Sequence, residues 1–265
     1  MKSCKAVSVI FLCSCTLLLA ACSSSRFVSS MDDEKVRTET PDVQRRVSIR
    51  MQLAVDYFTQ GQYKPALEEI RQVVSLSPNF ADAYSLRALI QMEMNDMPRA
   101  EENFLHARKL DPTNSDITNN YAWFLCENGR GKQALPLFDK VLSDRTYAAP
   151  VKTMVSAGVC SLRLKDLATA ERYFKLGAEL QPNNPTINGN LAKLYFDRGQ
   201  FSDARIYIQR VLREEIFAAD VLWLAIKIDN KLGDAASVNG LATQLRRRHP
   251  NSKEFASFQK GAFNE

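Results

Sequence analysis

An alanine returns along this chain on a period of 34 residues. Ala66, Ala100 and Ala134 keep that spacing, Ala170 follows after 36, Ala204 after a further 34, and Val238 takes the next place. A repeat of this length holds about two helices, too little to bury an apolar face alone, so successive units must stack into a linear array. The first five units carry a second small residue earlier on, at Ala54, Ala88, Ala122, Gly158 and Ala192, which lets the two helices approach closely. Four places after each ladder alanine an apolar residue stands on the same helical face: Ile70, Phe104, Phe138, Phe174 and Ile208. Between the helices lie Gly61, Asn95, Gly129, Gly199 and Gly233, residues that accept a left-handed helix end, whereas Lys165 in the fourth unit is a poor residue for that place. Pro78, Pro112, Pro182 and Pro250 stop the second helix; Thr146 and Ile216 replace proline in units three and five.

These features are the signature of the tetratricopeptide repeat, a pair of antiparallel helices (A and B) that builds a solenoid. The expected fold is all-α: a right-handed superhelical solenoid of six such repeats, at 47–80, 81–114, 115–150, 151–184, 185–218 and 219–252, with a capping segment at 253–265. Phe255, Phe258 and Phe263 supply the apolar cover that the last repeat needs. In such stacks the A helices line a concave groove through places 2, 5, 6, 9, 12 and 13 of each unit. Met51, Val55, Phe58, Leu89, Met92, Trp123, Val159 and Leu162 then form an apolar groove over the first four units, Asn119, Asn120, Ser85 and Gln52 stand ready for peptide polar groups, and the last two units add Lys193, Lys227 and Trp223. The other reading of each apolar residue is packing of one A helix on the next. An apolar groove with aromatic and methionine anchors suits a peptide segment of a partner protein.

Residues 1–21 read as a secretory signal: Lys2 and Lys5, an apolar run from Ala6 to Leu18, then Leu19-Ala20-Ala21 before Cys22. That sequence resembles the bacterial lipobox, in which the cysteine is acylated and the signal removed, giving a lipid anchor in the bilayer. The resemblance to such lipoproteins implies that Ser23, in place of an Asp after the cysteine, goes with sorting to the outer membrane, facing the periplasm; an ordinary signal peptide with an incidental cysteine, or a transmembrane helix, is the alternative for this segment. Residues 22–46 then form the lipidated N-terminus and a flexible tether of roughly 20 residues, spanning about 25 Å on average.

Of six cysteines, Cys4, Cys13 and Cys15 leave with the signal and Cys22 is spent on lipid. Cys126 and Cys160 remain, in A helices of adjacent repeats; an oxidising compartment favours a disulfide between them, two buried free thiols being the alternative. The net charge of +5 is too mild for nucleic-acid binding. The densest basic run, Arg246-Arg247-Arg248-His249, reads first as a solvated helix end. His106 and His249 lack metal-ligand spacing, and no phosphate loop, nucleophile elbow or CxxC occurs, so no catalytic group, cofactor or metal is expected.

The segment Asn119-Asn120-Tyr121-Ala122-Trp123-Phe124-Leu125-Cys126, the run Gln244-Leu245-Arg246-Arg247 with Pro250, Phe255, Phe258 and Gly261, the lipobox and six repeats together resemble the type IV pilus biogenesis and stability lipoproteins of Gram-negative bacteria. The resemblance covers essentially the whole mature chain. It implies a pilotin, a non-catalytic lipoprotein that binds the outer-membrane secretin of the pilus system and promotes its localisation and multimer assembly; apart from the resemblance, a monomer is expected, though the sequence leaves self-association open. A periplasmic adaptor for cell-wall hydrolases or outer-membrane assembly factors is the alternative for the same architecture.

Overall fold

The computed structural model describes residues 40–263; the signal segment, Cys22 and residues 23–39 lie outside them. Thirteen helices and no strand occur among the described residues. They pair as α1 (Pro41–Thr59) with α2 (Tyr63–Leu76), α3 (Ala81–Glu93) with α4 (Met97–Leu110), α5 (Ser115–Glu127) with α6 (Gly131–Ser143), α7 (Pro150–Arg163) with α8 (Leu167–Leu180), α9 (Pro185–Asp197) with α10 (Phe201–Arg213), and α11 (Ala219–Lys231) with α12 (Ala235–Arg248). A short α13 (Lys253–Gln259) follows. Odd-numbered helices up to α11 are the A helices.

Each A helix ends in the same turn. One residue takes a left-handed conformation, and the next amide donates back across the turn to a carbonyl five residues earlier, as Gln62 N does to Tyr57 O at 2.8 Å and Asp96 N to Gln91 O at 2.8 Å. Lys165 obeys this rule despite its side chain: its φ is 61°, beside 62° for Asn95 and 71° for Gly61, and Asp166 N bonds Ser161 O at 2.9 Å. The stacking geometry therefore overrides residue preference here, at a cost of about 1 kcal/mol.

The ladder alanines are fully buried at Ala66, Ala100, Ala134, Ala170 and Ala204, as are their A-helix counterparts Ala54, Ala88, Ala122 and Ala192. Gly158 shows why these places must be small. A Cβ built there would lie 2.5 Å from the ring of Phe174, a side chain that is itself fully buried.

The structure adds two details to the sequence reading, and the first corrects it. First, α1 starts at Pro41, so residues 41–46, assigned above to the tether, are helical. The start signal is local: Thr40 accepts a bond from Val43 N, Pro41 occupies the first turn with Asp42, and Val43 packs on the first core cluster. Second, the two extra residues of the 36-residue interval sit wholly in the 144–149 linker between α6 and α7. Asp144 organises that linker, accepting from Thr146 N (2.9 Å), Thr146 Oγ1 (2.6 Å) and Ser115 Oγ (2.8 Å). Those bonds hold its carboxyl below the usual range.

The core runs as successive clusters along the stack, one centred on Ile70 and Val73, one on Phe104, Phe124 and Phe138, and one from Phe174 to Leu245. Phe255, Phe258 and Phe263 pack on the last of these, and Trp223 lies with its ring centroid 6.5 Å from Phe258 and 5.6 Å from Phe263. The bond between Cys126 and Cys160 joins α5 to α7 with the Cα atoms 5.7 Å apart.

Candidate binding groove on the A helices

Of the clefts that open on the A-helix face, one of them between α7 and α9, two lie toward the ends of the stack. The first, about 520 Å³, lies between α1 and α3 and is bounded by Gln44, Val47, Ser48, Met51, Gln52, Val55, Phe80 and Asp82. Its floor is apolar: Val47 is buried, Met51 half-buried, and Val55 remains 37% exposed. The second, about 420 Å³, lies between α9 and α11, with Thr186, Gly189, Asn190 and Lys193 on one wall, Trp223, Leu224 and Lys227 on the other, and Glu254 of α13 at the edge.

The two clefts differ in charge chemistry. In the second, the Lys227 ammonium lies 5.3 Å from the Phe196 ring centroid and 5.6 Å from that of Trp223. Burial and the nearby Lys193 charge lower the pKa of Lys227. Lys193 itself pairs with Asp197 at 2.8 Å. The first cleft has no cation among its lining residues and one acid, Asp82, whereas the second sets its two lysines beside two acids, Asp220 and Glu254.

Sequence-expected groove residues divide accordingly. Met51 and Val55 line the first cleft with Gln52. Phe58 turns toward Tyr63 (centroids 6.2 Å apart) and packs into the first repeat core. Leu89, Met92 and Trp123 are half-buried against the second core cluster, and Val159 and Leu162 against the third. Trp123 carries the Arg163 guanidinium 5.3 Å from its ring centroid, and Arg163 pairs with Glu127 at 2.7 Å. Asn119 does not reach a ligand: it is 1% exposed, and its amide oxygen accepts from Thr153 Oγ1 at 2.9 Å, bracing α5 on α7. Ser85 is likewise buried and accepts from Asn120 Nδ2 at 3.3 Å, while Asn120 Oδ1 accepts from Lys152. These amides tie neighbouring A helices together. Trp223, expected in an open groove, is partly covered by the cap.

Near the rim of α5, Tyr147 Oη donates to Asp116 Oδ1 at 2.9 Å, and Lys152 lies 3.3 Å from the same oxygen. Burial first, then the Asp116 carboxylate, push the Tyr147 hydroxyl up to about 12.

Sequence reasoning missed Gln44, Val47, Phe80 and Asp82. Phe80 left a signal. It ends its unit with a large apolar residue where Asn114, Pro150, Asn184, Ala218 and Ser252 end the others.

Among the described residues no group of three or more His, Cys, Asp or Glu side chains is placed to hold a metal, and no helix is long and apolar enough to cross a membrane. His106 packs edge-on against Tyr84 (4.3 Å), and His249 Nε2 lies 2.6 Å from the Phe217 carbonyl oxygen. Both imidazoles serve local packing.

The tetratricopeptide-repeat family matches residues 51–115 and again 161–215. The structure of PilW, described as a widely conserved type IV pilus biogenesis factor, superposes with a TM-score of 0.73 at 32% identity, over 80% of this chain and 98% of that one. That of Pseudomonas aeruginosa PilF gives 0.74 at 25% identity, over 83% and 99%. In sequence, the P. aeruginosa type IV pilus assembly protein PilF is 26% identical over 241 residues, 91% of this chain and 93% of its own. Fold and clefts thus define a tetratricopeptide-repeat scaffold. Within that class, the chain belongs to the family of type IV pilus biogenesis factors represented by PilW and PilF.

Proposed function

We propose that the chain is a non-catalytic pilotin, anchored in the outer membrane through acylated Cys22 and holding a segment of the pilus secretin on its A-helix face so that the secretin reaches the membrane and multimerises. The observation that supports this most directly is the apolar cleft of the first two repeats, in a chain whose relatives act in pilus assembly. Val55 and Met51 present an uncovered apolar surface beside the backbone of α1 and α3, the chemistry that anchors a peptide segment. A lipid anchor would couple that cargo to lipoprotein transport.

The test is complementation of a deletion strain, reading secretin multimers on gels and piliation by microscopy. Wild type restores both. Cys22→Ser leaves secretin monomers away from the outer membrane, and Val55→Asp lowers multimers at least five-fold at equal protein level. Trp123→Ala gives a smaller loss, because Arg163 and the core cover part of its ring. Normal multimers and piliation in the deletion strain itself would remove the pilotin reading.

A further inference from the structure

Places 3, 7 and 11 of each repeat form the face that meets the preceding repeat. In the second repeat they are Ala83, Arg87 and Gln91, in the third Ile117, Tyr121 and Leu125, in the fourth Thr153, Ala157 and Ser161, in the fifth Ile187, Leu191 and Tyr195, and in the sixth Val221, Ala225 and Asp229. None of these is exposed. In the first repeat the same places hold Ile49, Leu53 and Tyr57, with no repeat before them among the described residues. Ile49 is 52% exposed and Leu53 39%. A terminal repeat that ends a stack in water carries a polar outer face; this one carries isoleucine and leucine.

The exposed face continues in both directions along α1. Asp42, Arg46, Ile49, Leu53, Asp56 and Gln60, the last being the helix C-cap, are all exposed and follow one another at alternating steps of four and three, the spacing of a coiled-coil seam. The seam is self-complementary. Laid antiparallel on its own copy about a two-fold axis at Met51, it sets Ile49 against Leu53, Arg46 against Asp56, and Asp42 against Gln60, each twice over. The apolar pair is central and the opposite charges flank it. The outer part of this seam lies in the six-residue extension, 41–46, that makes α1 19 residues long where the other A helices have 13 or 14.

We infer that α1 is an isologous pairing surface that binds α1 of a second copy of this chain, antiparallel, through the Ile49–Leu53 centre and reciprocal Arg46–Asp56 ion pairs. One helix face is smaller than a standard protein interface, so the pairing is concentration-dependent. It leaves the first cleft usable, because Met51 and Val55 project from the opposite side of α1. The inference stands apart from the secretin reading, and its readout needs no secretin.

The test uses two differently tagged copies of the full chain, co-expressed in a strain lacking the secretin and fixed with formaldehyde before lysis. Wild-type copies co-purify. Leu53→Glu in both copies lowers recovery at least ten-fold. Arg46→Asp alone and Asp56→Arg alone each lower it about five-fold by placing like charges across the seam, and the double variant restores it to within two-fold of wild type. Thermal melts of all variants match wild type in dilute protein, where pairing adds nothing, since every altered side chain is exposed. Absence of wild-type co-purification, recovery unchanged by Leu53→Glu, or failure of the double variant to restore pairing would each overturn the inference.

Discussion

At its C-terminal end the stack is closed by α13, which lays Phe258 and Phe263 on Trp223 and covers the last repeat with aromatic rings. At its N-terminal end α1 stands with Ile49 and Leu53 in solvent, beside an apolar cleft. Both ends face the same physical problem, an outermost repeat with one neighbour missing, and only one solves it within the described chain. The difference shows that apolar side chains at a solenoid terminus have two uses: where the chain folds back over them they add stability, and where it does not they remain available for binding. The clefts follow the same division. The one near the open end is apolar, while the one near the cap holds Lys193 and Lys227 against Phe196 and Trp223.

Removing the cap should make the two ends alike. A chain truncated after Ser252 exposes Trp223 and the outer side of α11 and loses the burial of three phenylalanines. Each side chain of this kind contributes on the order of 1.5–3 kcal/mol when fully buried, and these are half-buried, so the expected loss is about 4 kcal/mol in urea unfolding. A change below 1 kcal/mol would mean that α13 is a passive appendage. The next largest effect lies between the ends, where the Cys126–Cys160 bond spans the α5–α7 junction beside the longest linker. Cys126→Ala with Cys160→Ala should cost about 3 kcal/mol, and the native protein should titrate no thiol at either position after unreduced denaturation. Gly158→Ala comes third. The added methyl gains helix propensity but meets the Phe174 ring at 2.5 Å, so melting should report a net loss of about 2 kcal/mol. An unchanged melting temperature there would show that the α7–α8 packing yields more easily than the ladder implies.

Much of the fold was legible because its rules are local and repeated. A small residue must recur where two helices touch, and the ladder from Ala66 to Ala204 records it. Even the slip to 36 was visible, though not that it falls entirely in the 144–149 linker. The cleft was less legible because its walls are set by tertiary choices. Asn119 and Ser85 looked like ligand-facing polar residues, but the close approach of successive A helices recruits them for bonds to Thr153 and Asn120. Trp223 sat at a groove place in the period, yet cover by Phe258 and Phe263, more than a full repeat later, is not written in that period. Gln44 was assigned to the tether because its run is polar. The Thr40-Pro41-Asp42 start signal extends the helix through it and adds it to the cleft wall.

The smallest expected effect gives the cleanest comparison, because identical substitutions can be made at equivalent places in two repeats. Ile187 and Leu191 occupy places 3 and 7 of the fifth repeat and are fully buried against the fourth. Ile49 and Leu53 occupy the same places in the first repeat and lie in solvent. Changing the inner pair to glutamine leaves two amides without room or partners and should cost at least about 4 kcal/mol in urea unfolding at micromolar protein. Changing the outer pair should move stability by no more than about 0.5 kcal/mol, because little burial is lost and glutamine has a better helix propensity than isoleucine and one close to that of leucine. A loss of 2 kcal/mol or more at Ile49 and Leu53 in dilute protein would mean that the outer face is already covered within one chain. That result would remove both the contrast between the ends and the basis for pairing through α1. A negligible loss in dilute protein that grows with protein concentration would instead tie the face to association, because a dimer adds its stability by mass action and a monomer cannot.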